Sequence, residues 1–444
     1  MRPSADRVLN RNFTLFLAGQ SASILCNALY AVVLVLFLKH MTGSASILGA
    51  VQLVALLPCV LLGPFAGALV DRSSLKTVVV ASYALRGLLM LLLFLVSSAC
   101  FLERESIDLG FAHLDFTAAF PFTLYVVFGV SLFLGTIDAA LNPAMCAIIP
   151  AILAPAKVQK GNSLMQGATG LLTMAGNALG GLFFSTMGAP PAFLLNGLSY
   201  LAAAGTGLFL SVVPAGHGEP RPRAGKHFMA EVKEGFVFIL TNKGLRNQTI
   251  VYALSNLVFP AVMLALPFLV EDVLKLSEAY YGYLMSVLTF SAIAGYFLFG
   301  LFKTTEKQNY RVICAIFIVE TLVFLLLAFT LDVYLVFVLL AVLSVCMAVS
   351  RLINTALKQK VIPAEIRGRV FGTLDAINGG LVPLSLTLGG AAIDLLNKNI
   401  TLLFFGIFAA YALLAGVFVL DRSIRKFYLS GCATAVPDEG APSI

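Results

Sequence analysis

Four ionisable side chains stand inside apolar runs of this chain: Arg86, Asp138, Glu320 and Asp375. At the centre of a membrane-embedded helix such a group costs about 2.5 to 3.5 kcal/mol on insertion scales, so each needs a counter-charge, water or a neutralising proton. A desolvated carboxyl can load and release a proton, whereas one paired with a cation is a static link. Asp138 with Arg86 fits either description, and both stay open. Asp375 lies near the end of its run, where lining a vestibule or pairing with a loop cation would satisfy it. Glu320 stands about as deep beyond Arg311 as Arg86 stands beyond Lys76. Neutral polar groups suited to holding a small molecule gather in two further places. Gln20, Ser23, Asn27 and Tyr30 lie in the first apolar run, and Tyr252, Ser255 and Asn256 in the seventh, with Phe259 beside them as an apolar wall. Their competing role is helix–helix hydrogen bonding, about 0.6 kcal/mol per contact in membranes.

Other chemistries find no support in the residues. His40, His113, His217 and His227 all fall outside the apolar runs, which argues against a histidine proton relay. The seven cysteines are scattered with no C-x-x-C pair, so neither a disulfide scaffold nor a zinc site is indicated. There is no G-x-x-x-x-G-K-[ST] and no spacing of His, Cys and carboxylates that would mark a metal site. The expectation is therefore no nucleotide-driven step, no metal and no cofactor.

The elements that position these groups follow from composition. Hydrophobic residues make up 59% of the 444 and charged residues 11%, against about 25% charged in ordinary soluble proteins. A spanning helix takes about 20 apolar residues. Hydropathy places spans near 13–38, 46–70, 76–100, 121–144, 160–187, 190–213, 246–270, 279–302, 311–330, 332–354, 368–393 and 400–421. The first follows Arg2, Arg7 and Arg11 and is too long for a signal-peptide core, so it reads as a retained helix.

The predicted organisation is a six-helix bundle over 1–213, a linker over 214–245, a second six-helix bundle over 246–430 and a disordered tail over 431–444. Within the linker, Phe228, Val232, Phe236, Ile239 and Leu240 recur at helical spacing apart from Lys226, Glu231, Lys233, Glu234 and Lys243, which predicts a short helix on the membrane surface. Loop 101–120 is acidic and reads as a solvated outer loop.

With the N-terminus inside, 24 Lys and Arg fall on the inner side, counting Arg351 with the loop after the tenth span, and 4 on the outer. That bias predicts that both termini are cytoplasmic. It also disperses the net charge of +7 over loops, which argues against nucleic-acid binding. The two halves read as repeats: Arg11-Asn12 is echoed by Arg246-Asn247, Gly49 and Gly67 by Gly282 and Gly300, and Gly180-Gly181 by Gly389-Gly390. Paired repeats in a polytopic chain point to a transporter with its site between the halves.

After the second span comes Gly63-Pro-Phe-Ala-Gly67-Ala-Leu-Val-Asp71-Arg72-Ser-Ser-Leu-Lys76, which resembles the G-x-x-x-D-R-x-x-[RK]-[RK] loop of the major facilitator superfamily. Gly67, Asp71, Arg72 and Lys76 are its conformational residues here. Arg11-Asn-Phe13, Ala18-Gly-Gln20, Met41-Thr-Gly43-Ser44-Ala45, Asn142-Pro-Ala144, Glu231-Val-Lys-Glu234-Gly235 and Arg367-Gly-Arg369-Val370-Phe371 look like the branch of enterobactin-type exporters and macrolide efflux pumps. Gly176-Asn177-Ala-Leu-Gly180-Gly181 departs from the antiporter signature G-P-x-x-G-G by placing Asn177 where the Pro stands.

The resemblance implies an all-α membrane protein of twelve helices in two six-helix pseudo-repeat bundles, a monomer in a bacterial cytoplasmic membrane. It implies proton-coupled efflux of a hydrophobic or amphipathic small molecule of drug, macrolide or siderophore type, with protons and the lipid bilayer as the other partners and no enzymatic reaction. In the superfamily arrangement spans 1, 4, 7 and 10 line the cavity, spans 2, 5, 8 and 11 flank it, and 3, 6, 9 and 12 are peripheral. That ranks the proton-coupling candidates Asp138 first, Asp375 second and Glu320 third, with Arg86 beside Asp138 also among them; on a peripheral helix Glu320 is more often a satisfied structural group. The alternatives are a facilitator that moves lysophospholipid between leaflets and, from another class, a non-transporting receptor or scaffold.

Overall fold

The computed structural model describes residues 10–101, 106–108, 113–115, 119–211, 228–363 and 365–429, with side chains at 64–72, 99–101, 106–108, 113–115, 119–121 and 228–232 outside the description. The tail 431–444, most of the acidic loop, linker residues up to 227 and the side chains of Asp71 and Arg72 lie outside the described residues; so does the surrounding of Gly67.

Each expected span coincides with a helix. They are α1 (Arg11–Thr42), α2 (Ala45–Arg72), α3 (Leu75–Phe101), α4 (Ala119–Ile152), α5 (Pro155–Met187) and α6 (Pro190–Leu208), then α8 (Lys243–Phe268), α9 (Ala279–Gly300), α10 (Glu306–Phe329), α11 (Val333–Val361), α12 (Arg367–Leu395) and α13 (Ile400–Leu420). The linker helix is α7 (Phe228–Thr241), and a short α14 (Arg422–Leu429) ends the described chain. Three-residue strands at Ser106–Asp108 and His113–Asp115 pair antiparallel in the loop after α3. In a bilayer every backbone polar group must be satisfied internally, which is why the chain is helical throughout its apolar runs. Ten of the described helices are long and apolar enough to cross a membrane. The other two of the twelve are α5 and α6, whose sequences are diluted by Gly, Ala, Ser, Thr and Asn.

Local signals set the ends. Asn10 accepts from Phe13 N at 2.7 Å to cap α1, and Gly43 closes it in the left-handed region at φ 60. Proline occupies the first turn of α5 and of α6, where its missing N–H costs nothing. Thr305 and Gln308 form a capping box on α10. Val361 ends α11 seven residues beyond the span read from hydropathy, because its last turns alternate buried Ile353 and Leu357 with Lys358 and Lys360 and are amphipathic rather than apolar. Arg351 therefore sits in a helix rather than in the loop after it.

The described residues form two compact units. The first takes in Met1–Pro222, Ala261–Phe290 and Pro383–Ile400, and the second Arg223–Pro260, Ser291–Val382 and Thr401–Ile444. In the first, α3 packs on α6, α2 on α4 and α1 on α5. The same unit brings α5 against α9 and α2 against α12 at glycines that the repeat had paired. A Cβ on Gly181 would stand 2.8 Å from Gly282 N, and one on Gly390 would stand 2.5 Å from Ala45 O. Only a bare backbone permits either crossing. Asn177, in the place of the signature proline, donates to Thr289 Oγ1 of α9 at 3.2 Å. At the end of these crossings Asp394 of α12 accepts from Ser44 Oγ at 2.6 Å and from the backbone N–H groups of Ala45 and Ser46, both at 2.9 Å, so α2 begins on a cap supplied from α12.

The second unit is built on an apolar core in which Phe317 of α10 stacks on Phe418 of α13 at 4.6 Å and Ile239 of α7 joins Val370 and Leu374 of α12. The surface helix α7 is present, but its packed face is Gly235 and Ile239; Phe236 and Leu240 are exposed. Glu234 of α7 is paired with Arg369 of α12 at 2.5 Å. At the other edge α14 docks by burying Ile424, Phe427 and Tyr428.

Asp421 is the cap that starts α14, taking hydrogen bonds from Ser423 N at 2.6 Å, Ile424 N at 3.0 Å and Asn247 Nδ2 at 2.7 Å. Burial by itself pushes this carboxyl up, but the hydrogen bonds from Ile424, Asn247 and Ser423 outweigh it and hold it below its ordinary value. Because the folded value is the lower one, the cap's contribution is present above the unfolded value, near 3.9, and is lost as pH falls through the folded value. Asp421→Ala is therefore expected to cost about 1 kcal/mol at neutral pH, the usual loss for a cap. Thermal unfolding in detergent should show that deficit at pH 7 and a smaller one on acidification towards pH 3.

Candidate functional site

Two clusters carry the polar and charged groups singled out in the sequence. In the first unit, Arg86 of α3 reaches Asp138 of α4, Nη1 to Oδ1 at 3.2 Å, and its guanidinium lies 4.5 Å from the centre of the Tyr200 ring on α6. Arg86 Nε is buried with no partner among the described residues. The groups around the pair are tied to one another: Tyr83 donates to Gln20 Oε1 at 2.7 Å, and Tyr200 donates to Asn27 Oδ1 at 2.5 Å. Tyr30 is buried edge-on against Phe193 at 5.8 Å, and Ser23 Oγ is buried without a partner among the described residues. Of the four polar residues expected on the first span, then, Gln20, Ser23 and Tyr30 are buried between helices and only Asn27 is exposed.

The second unit holds a cavity of about 640 Å³. Four residues expected to contact cargo line it from α8: Tyr252, Ser255, Asn256 and Phe259. Facing them are Glu320 of α10, Arg351 and Lys358 of α11, Asp375 and Asn378 of α12 and Tyr411 of α13. Much of its polar lining is already bonded. Tyr252 Oη and Ser350 Oγ share a hydrogen bond at 2.8 Å, Asn256 donates to Asn378 Oδ1 at 3.4 Å, and Tyr428 of α14 donates to Asn354 Oδ1 at 2.5 Å. Gln248 of α8 donates to that same Asn354 oxygen and to Tyr428 Oη, the latter at 2.8 Å. Lys358 and Asp375 lie close enough for their charges to interact.

Glu320 is the buried charge on this wall, where Arg351 and Asp375 are exposed and Lys358 is half-buried. It is 5% exposed, and among the described residues no hydrogen bond or ion pair holds its carboxyl. The sequence alone places it third among the coupling candidates, because the resemblance makes its helix peripheral. The sequence reading also counts Arg351 as a loop cation, missing both Arg351 and Lys358 as cavity groups; the buried Ile353 and Leu357 between them are the signal that the helix continues.

The conformational residue Lys76 donates from Nζ to Leu208 O at 2.6 Å, tying the start of α3 to the end of α6.

Residues 16–385 match the Major Facilitator Superfamily. The chain belongs to that superfamily. Its family is one of membrane transporters, so the chain is a transporter of a small molecule and not an enzyme. Among its relatives it is 22% identical over 390 residues to macrolide efflux protein A of Streptococcus pyogenes, covering 86% of this chain and 89% of that one. It is 21% identical over 309 residues to an uncharacterized MFS-type transporter of Bacillus subtilis, covering 69% and 70%. Among solved structures the fold resembles the nucleoside transporter NupG, with a TM-score of 0.71 at 12% identity over 92% of this chain and 98% of that chain. It also resembles a bacterial homologue of the iron transporter ferroportin in its inward-facing state, with a TM-score of 0.68 at 15% identity over 94% and 98%.

The pairing of Arg86 with Asp138 makes a mutational prediction. Arg86→Met leaves a half-buried carboxylate without its cation, a loss of order 1–3 kcal/mol, whereas the double change Arg86→Met with Asp138→Asn removes both charges and should recover part of it. Thermal unfolding of the four proteins in one detergent reads the cycle. Additive losses would mean that the two groups are not energetically coupled.

Proposed function

We propose that this transporter exports an amphipathic or hydrophobic small molecule in exchange for protons, and that Glu320 is the carboxyl that couples the two. The observation that carries the reading is a buried, unpartnered carboxyl on the wall of an aromatic-lined cavity. A lone charge in such a place is costly, so Glu320 is neutral with a proton bound or is neutralised by what enters the cavity. A group that must exchange one neutralising partner for another is what coupled antiport requires. Asp138 already has Arg86, and Asp375 has Lys358 beside it, so we rank both below Glu320 for this role.

The rings of Phe259, Tyr252, Phe371 and Tyr411 supply apolar surface for the body of the cargo, and Asn256, Asn378 and Arg351 supply the few polar contacts that orient it. The likeness to a macrolide efflux protein supports export of a molecule of that general kind. The positive-inside bias favours cytoplasmic termini in a bacterial cell membrane, with the α1–α2, α8–α9 and α12–α13 loops on the outer face. We further propose that the chain works as a monomer of two repeated halves, 1–213 and 246–430, that rock about the site.

The test is uptake of a macrolide into inverted vesicles under an imposed proton gradient. Uptake should collapse when the gradient is dissipated. Glu320→Gln should abolish the gradient-driven component while Asp138→Asn retains it in large part. Uptake that ignores the gradient would instead favour a facilitator, and loss confined to Asp138→Asn would return the coupling role to that residue.

A further inference from the structure

The loop end of the first unit carries a second cluster of charge that the transport reading does not use. Lys39 and His40 close α1, and a short π-helical turn, Leu269–Val273, follows α8 and carries Glu271 and Asp272. Such turns often mark functional positions, since they swing side chains out of the regular helical register. Glu278 lies just before α9. His40 Nε2 stands 3.0 Å from Glu271 Oε2 and 3.5 Å from Glu278 Oε1, and one donor atom from each of the three residues lies within 4.8 Å of the other two.

We propose that His40, Glu271 and Glu278 form a binding site for a divalent transition-metal ion of the zinc type, bridging the end of α1 and the α8–α9 turn. Four observations support it. A tetrahedral ion with arms of about 2.0 to 2.2 Å needs donors about 3.3 to 3.6 Å apart, close to the spacings around His40. Imidazole and carboxylate are both zinc ligands, and three protein ligands leave a fourth position for water. Glu271 Oε1 is buried with no hydrogen-bond partner among the described residues, an unusual state for a carboxylate oxygen and one that a ligand would relieve. The charges are also out of balance. Glu271, Asp272 and Glu278 meet Lys39, whose Nζ is 2.9 Å from Glu271 and 3.1 Å from Asp272, while His40 adds a charge only when protonated.

Lys39 is the natural competitor. Its Nζ contacts the same Glu271 oxygen as His40, so an ion would take Glu271 through its orphaned oxygen or share it with Lys39, which also donates to Pro267 O at 3.2 Å. No metal spacing was legible in the sequence because His40 and Glu271 are 231 positions apart. Because His40 comes from the first repeat-related half of the chain and Glu271 and Glu278 from the second, a bound ion would hold this end shut; its effect is to inhibit the cycle, not to supply chemistry to it.

The test uses the full chain in detergent without a polyhistidine tag, titrated with Co²⁺ as a spectroscopic probe and with Zn²⁺ by calorimetry. One ion per chain should bind, give the intense visible spectrum of low-coordinate Co²⁺, be displaced by Zn²⁺ and raise the unfolding temperature. His40→Ala and Glu278→Gln should each weaken binding about tenfold or more. Both variants should unfold at the metal-free wild-type temperature, since the Lys39 ion pairs remain; that control separates loss of the site from loss of the fold. Absence of binding in the wild type, or binding that survives His40→Ala unchanged, would overturn the proposal, and neither result bears on the role of Glu320.

Discussion

A charge inside an apolar bundle has to be neutralised, and most of this structure is arranged around how each one is. Lys39 is buried at the end of α1 and is met by Glu271 and Asp272. Arg86 is met by Asp138 and by the face of Tyr200. Asp394 needs no cation, because the backbone N–H groups that open α2 and the hydroxyl of Ser44 take its charge. Each solution ties together helices that are distant in the chain. Glu320 is buried and has no such partner among the described residues, and that combination is the basis for assigning it a changing role.

The links differ in what they can do over a transport cycle. The Gly181–Gly282 and Gly390–Ala45 crossings bring backbones together and give close packing without specificity for charge. The Asp394 cap and the Lys39 pairs sit at the end of those crossings and are made of polar groups that water can replace. Opening that end exchanges hydrogen bonds to protein for hydrogen bonds to water, so the buried Lys39 and its partner Glu271 have to be hydrated as they part. Close packing with replaceable polar latches is the arrangement a rocking transporter needs at an end that must both seal and part.

Much of this was legible from residue types alone. The twelve spans followed from apolar length, and the repeat made Gly180-Gly181 and Gly389-Gly390 equivalent positions, both of which the structure places at backbone crossings. The cavity residues of α8 were found from their polar types at helical spacing. What the sequence hid was long-range. Arg351 and Lys358 looked like loop cations because the last turns of α11 are amphipathic and fall below a hydropathy threshold. Glu320 was ranked by the place of its helix in a family arrangement, which says nothing of where one side chain on that helix points. His40 and the two glutamates carry no local pattern, since the fold alone brings them together.

The exception at Glu320 is the centre of the account, and it can be measured without transport. Purified protein in weakly buffered detergent solution would be mixed with a macrolide cargo while the pH of the medium is recorded, beside Glu320→Gln. The account predicts a proton released on cargo binding by the wild type and none by the variant, with cargo still bound. Equal release from both proteins, or binding by the wild type with no release, would contradict it.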